Sequence, residues 1–238
     1  MAVFIGMQLQ SQSISEIKVE PQAEPWSPAL FKFMTVGHWP LGLDSLWMRT
    51  LQDTNLSHVK KGEHPWTYYD YQLITELDPA FGEVYHHGAI VLAVIRNDAL
   101  GALDLLNQAN EFRKTKLRDQ PPEVRHGFWQ EEWQIPLRLA YVHLFELDDL
   151  PSAAVAFQEA AALPGAPQYL MHLSERFKKT DGQYEVGLRL LKFMFESADK
   201  PEVKEKFKKK FELLSLKLEL KRSGKLDQHP ELEKVLGL

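Results

Sequence analysis

The 238-residue chain contains no cysteine, so a disulfide framework, a thiolate metal site and a cysteine nucleophile are all excluded. No apolar run in it approaches the roughly 20 residues that a membrane-spanning helix needs. No Asn-Gly or Asp-Gly pair lies between alternating apolar residues, and period-2 alternation is missing, so β-hairpins are not predicted. What the chain does have is 44% hydrophobic residues, which is enough to build a folded core.

Helical spacing of apolar residues dominates from Leu41 onward. Leu43, Leu46, Trp47 and Leu51 fall at i, i+3, i+4 and i+8, which is one face of a helix. Proline and aspartate separate such segments and predict where each helix stops. The segments predicted as helices are 43–51, 66–77, 85–95, 99–112, 128–147, 151–163, 167–179, 184–198 and 201–221, with a short one after Pro230. The chain is therefore predicted to be all-α.

Some of these helices repeat at a fixed interval. Leu150, Ala153, Phe157 and Ala160 are matched 34 residues later by Tyr184, Gly187, Leu191 and Met194. Small residues at such positions let two helices cross at 8–10 Å. The pattern resembles the tetratricopeptide repeat, a helix–turn–helix unit of this length, and the resemblance covers about residues 41–200 as four units.

The resemblance implies a right-handed α-α superhelix, a tetratricopeptide-like solenoid with C-terminal capping helices. Three parts are expected: an N-terminal extension or linker over 1–35, helical repeats over 36–200, and the capping helices over 201–238. An irregular helical bundle is the alternative. A narrower set of motifs is similar to a group of bacterial tetratricopeptide proteins: Gly37-His38, Asp44-x-x-Trp47-x-Arg49, Leu77-Asp78-Pro79-x-Phe81 and Leu163-Pro164-Gly165-Ala166-Pro167.

Members of that bacterial group often begin with a membrane anchor or a secretion signal. The resemblance therefore implies the cell envelope, tethered or periplasmic, as the location, and the cytoplasm otherwise. Residues 1–7 are an apolar start, and they are interpreted as a packed terminus or as the end of a longer anchor.

Catalytic motifs are not found. His86 and His87 are the candidate metal ligands, but neighbouring helix residues point roughly 100° apart, and no histidine lies four residues from either. No nucleophile elbow and no phosphate-binding glycine loop occurs. The prediction is a protein that is not an enzyme and has no metal or cofactor, with a metal-dependent enzyme using His86 or His87 as a remaining alternative.

Binding is the predicted function. The resemblance implies a non-catalytic scaffold or adaptor that holds a peptide or protein in the concave groove lined by the first helix of each repeat. A membrane-tethered envelope assembly factor, of the pilus, secretion or motility type, is the alternative. Carrying the groove positions over to this chain gives the candidate partner-binding residues Arg49, His86, Ile90, Arg138, Val142, Phe145, His172, Arg176 and Lys179. Their cations predict an acidic partner.

Segment 201–225 holds nine basic and four acidic residues in a chain with a formal charge of −5. Val203, Phe207, Phe211, Leu214 and Leu218 form its apolar stripe, and the lysines of 204–210 are predicted to lie mostly elsewhere on the surface. Because the whole chain is acidic, nucleic acid is not predicted as a partner. Membrane contact through the N-terminus or through the lysines of 204–210 is an open alternative.

Overall fold

The computed structural model describes residues 27–53, 55, 58–60, 62–147, 149–177, 182–225 and 228. Every regular element in these ranges is helical, which confirms the all-α prediction. The α-helices are α1 (Pro28–Met34), α2 (Trp39–Leu51), α3 (Trp66–Leu77), α4 (Gly82–Ile90), α5 (Ala99–Thr115), α6 (Pro122–Arg125), α7 (Gln134–Phe145), α8 (Leu150–Ala162), α9 (Gln168–Phe177), α10 (Gly182–Ser197) and α11 (Pro201–Arg222). A π turn (Val91–Ile95) extends α4, and 3-10 turns span Leu117–Asp119 and Phe128–Glu131.

Aspartate caps fix the starts of two central helices. The side chain of Asp98 accepts a hydrogen bond from Gly101 N (2.9 Å) at the start of α5, and Asp149 accepts one from Ser152 N (3.1 Å) at the start of α8. Each cap satisfies a backbone N–H that has no partner inside the helix. Asp98 and Asp149 lie between segments that the sequence predicts as separate helices.

Two elements differ from the sequence predictions. The segment expected as a linker contains helix α1, which Ser27 caps through Leu30 N (3.2 Å) and which buries Phe31. The helix expected over 128–147 is instead a 3-10 turn followed by α7, which starts at Gln134. Pro136 explains the later start, because proline is tolerated in the first turn of a helix and not in its interior.

From α2 to α11, with the short α6 passed over, each helix packs against the next helix along the chain. Contacts run from α2 to α3, α3 to α4, α4 to α5, α5 to α7, and then in order to α11. Gly88 lies where α4 crosses its neighbours, and a Cβ there would be 2.5 Å from Leu105 Cδ2. Ala102, Ala153 and Ala160 are fully or almost fully buried at the corresponding contacts. Small residues therefore set the close approach of successive helices.

Helix α11 packs back on the π turn, far earlier in the chain, as well as on α10. Val203, Phe207, Leu214 and Leu218 of its predicted stripe are at most 7% exposed, whereas Phe211 is 37% exposed. Phe207 meets the ring of Tyr141 at 5.6 Å between centroids. Helix α11 thus covers the ends of α4 and α7.

Candidate binding site at the seam between α4 and α7

The candidate site is the place where α4 and its π turn face α7 beneath α10 and α11. We call it the central seam. It encloses a cavity of about 10 Å³, which has room for about one water molecule. The residues that line this cavity are Ala89, Ile90, Val94, Arg138, Tyr141, Val142 and Met194.

Arg138 is the polar group that distinguishes the seam. Its side chain is among the largest fully buried ones, and it has 2% of its surface exposed. Nη2 donates a hydrogen bond to His86 Nε2 at 2.8 Å, while Nε and Nη1 have no hydrogen-bond partner among the described residues. Of the described residues, none places a carboxylate within salt-bridge distance of Arg138. The guanidinium is therefore both buried and incompletely paired.

Burial lowers the pKa values of both Arg138 and His86. It lowers the pKa of Arg138 to about 9, with Glu131 opposing the shift from a distance. It also lowers the pKa of His86 to about 3, and the charge of Arg138 adds to that lowering. His86 is therefore neutral at pH 7 and serves as a hydrogen-bond acceptor. No carboxylate in the described part of the chain is in contact with the positive charge of Arg138.

His87 lies on a different side of α4. Its Nδ1 is 3.1 Å from the Tyr71 hydroxyl, and its ring packs edge-on against Trp47 at 5.3 Å. Burial lowers its pKa to about 4, and the charge of Lys200, at the start of α11, lowers it further. The two histidines diverge as helix geometry requires, and within the described ranges no group of three or more His, Asp or Glu side chains could hold a metal ion.

Two lysines of α11 contact residues of the seam. Lys206 Nζ donates hydrogen bonds to the carbonyl oxygens of Val94 (2.7 Å) and Ile95 (3.1 Å). Both carbonyl groups belong to the π turn that forms the C-terminal end of α4. A cation is favoured there because carbonyl groups concentrate negative charge at the C-terminal end of a helix. Lys210 pairs with Glu146, which also accepts from the Tyr141 hydroxyl at 2.7 Å.

The prediction that the lysines of 204–210 lie mostly away from the packed face holds for Lys208 and Lys209, which are exposed, and fails for two others. Lys206 and Lys210 turn inward, and Lys217, further along α11, is 1% exposed. The acidic side chain of Glu146 is neutralised by Lys210 and so does not serve Arg138.

The structure brings together only some of the predicted partner-binding residues. His86, Ile90, Arg138 and Val142 meet at the seam, and Phe145 is buried beside Tyr141 at a ring distance of 5.2 Å. The side chains of Arg138, Val142 and Phe145 are at most 7% exposed, so they do not line an open groove in this structure. Their role in binding stays a prediction.

The other predicted residues lie elsewhere. Arg49 is on α2, where it forms an ion pair with Asp70 and stacks over Trp66 at 5.1 Å. His172 is exposed on α9. The side chain of Arg176 and the whole of Lys179 lie outside the described residues.

Sequence reasoning did not find Tyr141, Met194, Lys206 and Lys210 as parts of the seam. The one available signal was the lysine-rich segment itself, whose inward positions follow the period of the α11 stripe. Among the described helices none is long and apolar enough to cross a membrane. No family model, no curated protein and no solved structure matches this chain.

Proposed function

We propose that the protein is a non-catalytic helical-repeat scaffold that binds an acidic segment of a partner protein at Arg138 in the central seam. The observation that carries the proposal is the buried guanidinium whose Nε and Nη1 lack partners. The architecture we infer for it is a tetratricopeptide-like α-α superhelix. Packing between sequence neighbours and small residues at the helix crossings both support that inference.

The energetic argument starts from desolvation. Removing a charge from water costs several kcal/mol, and that cost is offset only when an opposite charge and hydrogen bonds replace the water. Arg138 has one neutral acceptor, His86, and two unpartnered nitrogens. A carboxylate that reaches Nε and Nη1 would complete the pairing in the geometry that guanidinium groups favour. The seam thus binds a carboxylate better than a neutral or cationic group.

Apolar neighbours define the rest of the ligand. Ala89, Ile90, Val94, Val142 and Met194 surround the cavity beside Arg138. A segment that combines acidic with aliphatic side chains would satisfy both the charge and the apolar wall. Such pairing of a buried charge with apolar contacts is typical of the centre of protein interfaces.

Access to Arg138 requires the cover to move. The cavity admits no more than about one water molecule, so a carboxylate reaches the guanidinium only when the walls of the cavity, which include Met194 of α10, move apart. Because Phe207 and Lys210 of α11 contact Tyr141 and Lys206 binds the Val94 carbonyl oxygen, we infer that this opening depends on the position of α11. The apparent affinity is the affinity of the open state multiplied by the fraction of molecules that are open.

The first prediction concerns replacement of Arg138 by an apolar side chain of similar length. We expect Arg138→Met to weaken binding of a short fluorescent peptide of alternating glutamate and leucine by about 10- to 100-fold, the contribution of a charge-assisted pair. The same change should leave the free energy of unfolding equal or higher, because it removes a buried charge that lacks a carboxylate partner. Fluorescence anisotropy and urea unfolding measure the two effects.

The matched control is Arg189→Met, which removes an exposed arginine on α10 and should keep wild-type affinity. A peptide with glutamine in place of glutamate should bind wild-type protein as weakly as the acidic peptide binds Arg138→Met. Equal binding of the acidic peptide by wild type and Arg138→Met would refute the proposed site. Destabilisation of Arg138→Met by several kcal/mol would show instead that Arg138 has a structural partner.

A further inference from the structure

The cavity of the central seam combines a very small volume with one strongly polar wall. Its volume of about 10 Å³ is close to the minimum that one water molecule needs. Arg138 forms the polar wall, and Nε and Nη1 of its guanidinium are buried donors without a partner among the described residues. The cavity therefore selects a ligand by size as well as by charge.

The guanidinium brings a positive charge to this cavity. Burial lowers the pKa of Arg138 to about 9, so the group still carries its proton at pH 7, and Glu131 acts on it only from a distance. His86 accepts from Nη2 but is neutral, since its pKa is about 3. Glu146 is paired with Lys210. The described residues thus place no counter-charge in contact with the guanidinium.

A water molecule would satisfy this cavity incompletely. Water can accept hydrogen bonds from Nε and Nη1, but its own two hydrogens then need acceptors, and buried water typically makes about three hydrogen bonds. Met194 offers only a thioether, a weak acceptor, and the Tyr141 hydroxyl already contacts Glu146 and Lys210. Hydrocarbon side chains form the rest of the wall: Ala89, Ile90, Val94 and Val142.

A monatomic anion meets all of these conditions. It accepts hydrogen bonds from both nitrogens, supplies a negative charge to the buried guanidinium and has no hydrogens that need acceptors. Carboxylate and phosphate groups carry the charge but exceed a space that holds about one water molecule. Chloride is the common monatomic anion whose size is close to that of water.

We propose that the closed seam binds one chloride ion at Nε and Nη1 of Arg138. Lys206 adds positive charge nearby, because its ammonium group donates at 2.7 Å to the carbonyl oxygen of Val94, a residue that lines the cavity. The ion offsets the cost of burying the guanidinium. Chloride also competes with a partner carboxylate for the same two nitrogens. This competition rests on the proposed function, whereas the chloride site itself does not.

The direct test is chloride binding by the full chain. Wild-type protein should broaden the ³⁵Cl resonance of dilute potassium chloride, and Arg138→Met should lose that part of the broadening. Melting in chloride is compared with melting in potassium methanesulfonate, whose anion is too large for the cavity. Tm should rise by about 2–4 °C when chloride reaches about five times its Kd, and Arg138→Met should lose this rise. Arg189→Met, at an exposed arginine of α10, is the control and should keep both responses.

Val142→Ile tests the cavity without changing the charge. It adds one methyl group to a residue that lines the cavity, which leaves less room for the ion, so we expect chloride affinity to fall by about tenfold or more. Val155→Ile adds the same group to a residue of α8 that is 67% exposed, and it should bind chloride like the wild type. Equal ³⁵Cl broadening by wild type and Arg138→Met, or equal chloride affinity of the two isoleucine variants, overturns the proposal.

Peptide binding separates the ion site from the proposed function. At constant ionic strength, the apparent Kd of the glutamate–leucine peptide should rise about sixfold when chloride reaches about five times its own Kd, as simple competition requires. Chloride binding that needs Arg138, without peptide binding in any salt, would support the ion site and overturn the proposed function. Peptide binding that needs Arg138, in a protein that shows no chloride response by ³⁵Cl resonance or by melting, would overturn the ion site alone.

Discussion

His86 and His87 follow one another in the chain, yet a turn of about 100° sends them to different neighbours. His86 accepts a hydrogen bond from Arg138, and His87 lies between Trp47 and Tyr71 with Lys200 close enough to affect its charge. Both face cations and both are largely buried. At this scale the sequence allows the divergence to be predicted, but the cations come from α7 and from the start of α11, which no local pattern links to α4.

The lowered histidine pKa values predict how stability depends on pH. The pKa values are about 3 for His86 and about 4 for His87 in the folded chain, against 6.5 for ordinary histidine. Below pH 6.5 the unfolded chain takes up protons that the folded chain does not, so stability falls as pH falls from 6.5 toward 4. The loss is about 1.4 kcal/mol per pH unit for each histidine, or about 3–4 kcal/mol for both between pH 6.5 and pH 5.

The double variant His86→Gln with His87→Gln should lack this part of the pH dependence, because glutamine does not titrate and can still accept a hydrogen bond from Arg138. Urea unfolding at pH 7 and pH 5 measures the difference. His172→Gln changes an exposed histidine on α9 and should retain the wild-type slope. Parallel slopes for the double variant and the wild type would contradict the assigned environments.

At the scale of elements, sequence signals predicted most helices well where a cap or a stop lies beside them. Asp98 and Asp149 cap α5 and α8, and Asp78-Pro79 follows α3 directly. Helix α1, which lies within the segment predicted as an extension or linker, was missed because seven residues are too short to show a helical period. The early start predicted for α7 was wrong because the apolar pattern continues through the 3-10 turn, while Pro136 limits the helix itself.

Gly88 offers a test of close helix crossing. A methyl group at this position would come within 2.5 Å of Leu105 Cδ2 and 3.1 Å of the Tyr71 ring, and both neighbours are fully buried. We expect Gly88→Ala to lower the free energy of unfolding by about 1–2 kcal/mol, because overpacking exceeds the gain in helix propensity. Urea denaturation midpoints give the measurement.

Gly127→Ala is the control for that substitution, since its nearest atom would be a backbone oxygen at 3.5 Å, an ordinary contact. We expect the control to change stability by less than about 0.5 kcal/mol. If Gly88→Ala proved as stable as wild type, α4 would have room to move away from α5, and the close crossing would not be a constraint on the stack.

At the scale of the whole molecule, periodicity predicts that neighbouring helices pack on one another. It does not predict that α11 packs back on the end of α4. Lys206 binds carbonyl oxygens that lie 112 and 111 positions earlier in the chain, at the end of α4. No spacing rule reaches that far, because the contact depends on the sum of all the intervening helix crossings. The candidate site is missed for the same reason. Its residues on α4 and α7 follow a helical period, whereas the helices that pack over them, α10 and α11, come from the C-terminal part of the chain.

The closure by α11 can be weakened at a single residue. Lys206→Met keeps the aliphatic stem and removes the ammonium group that donates to Val94 and Ile95. We expect a loss of about 1–3 kcal/mol in the stability of the α11 contact, which hydrogen exchange should report as faster exchange in α11 and the π turn. Lys208→Met, an exposed lysine two residues away, should exchange like the wild type.

The same variant joins closure to binding. If α11 covers Arg138, each 1.4 kcal/mol removed from the closed state should raise the apparent affinity for the glutamate–leucine peptide about tenfold, until the open state predominates. Lys206→Met would then bind the peptide more tightly than wild type although it is the less stable protein. Faster exchange in α11 without tighter binding would show that the cover opens but that Arg138 is not what the peptide reaches. Tighter binding that persists in the double variant with Arg138→Met would place the peptide on α11 or elsewhere. Hydrogen exchange in α11 and peptide affinity are thus measured separately on Lys206→Met. Only faster exchange together with tighter binding that requires Arg138 supports the seam as the site.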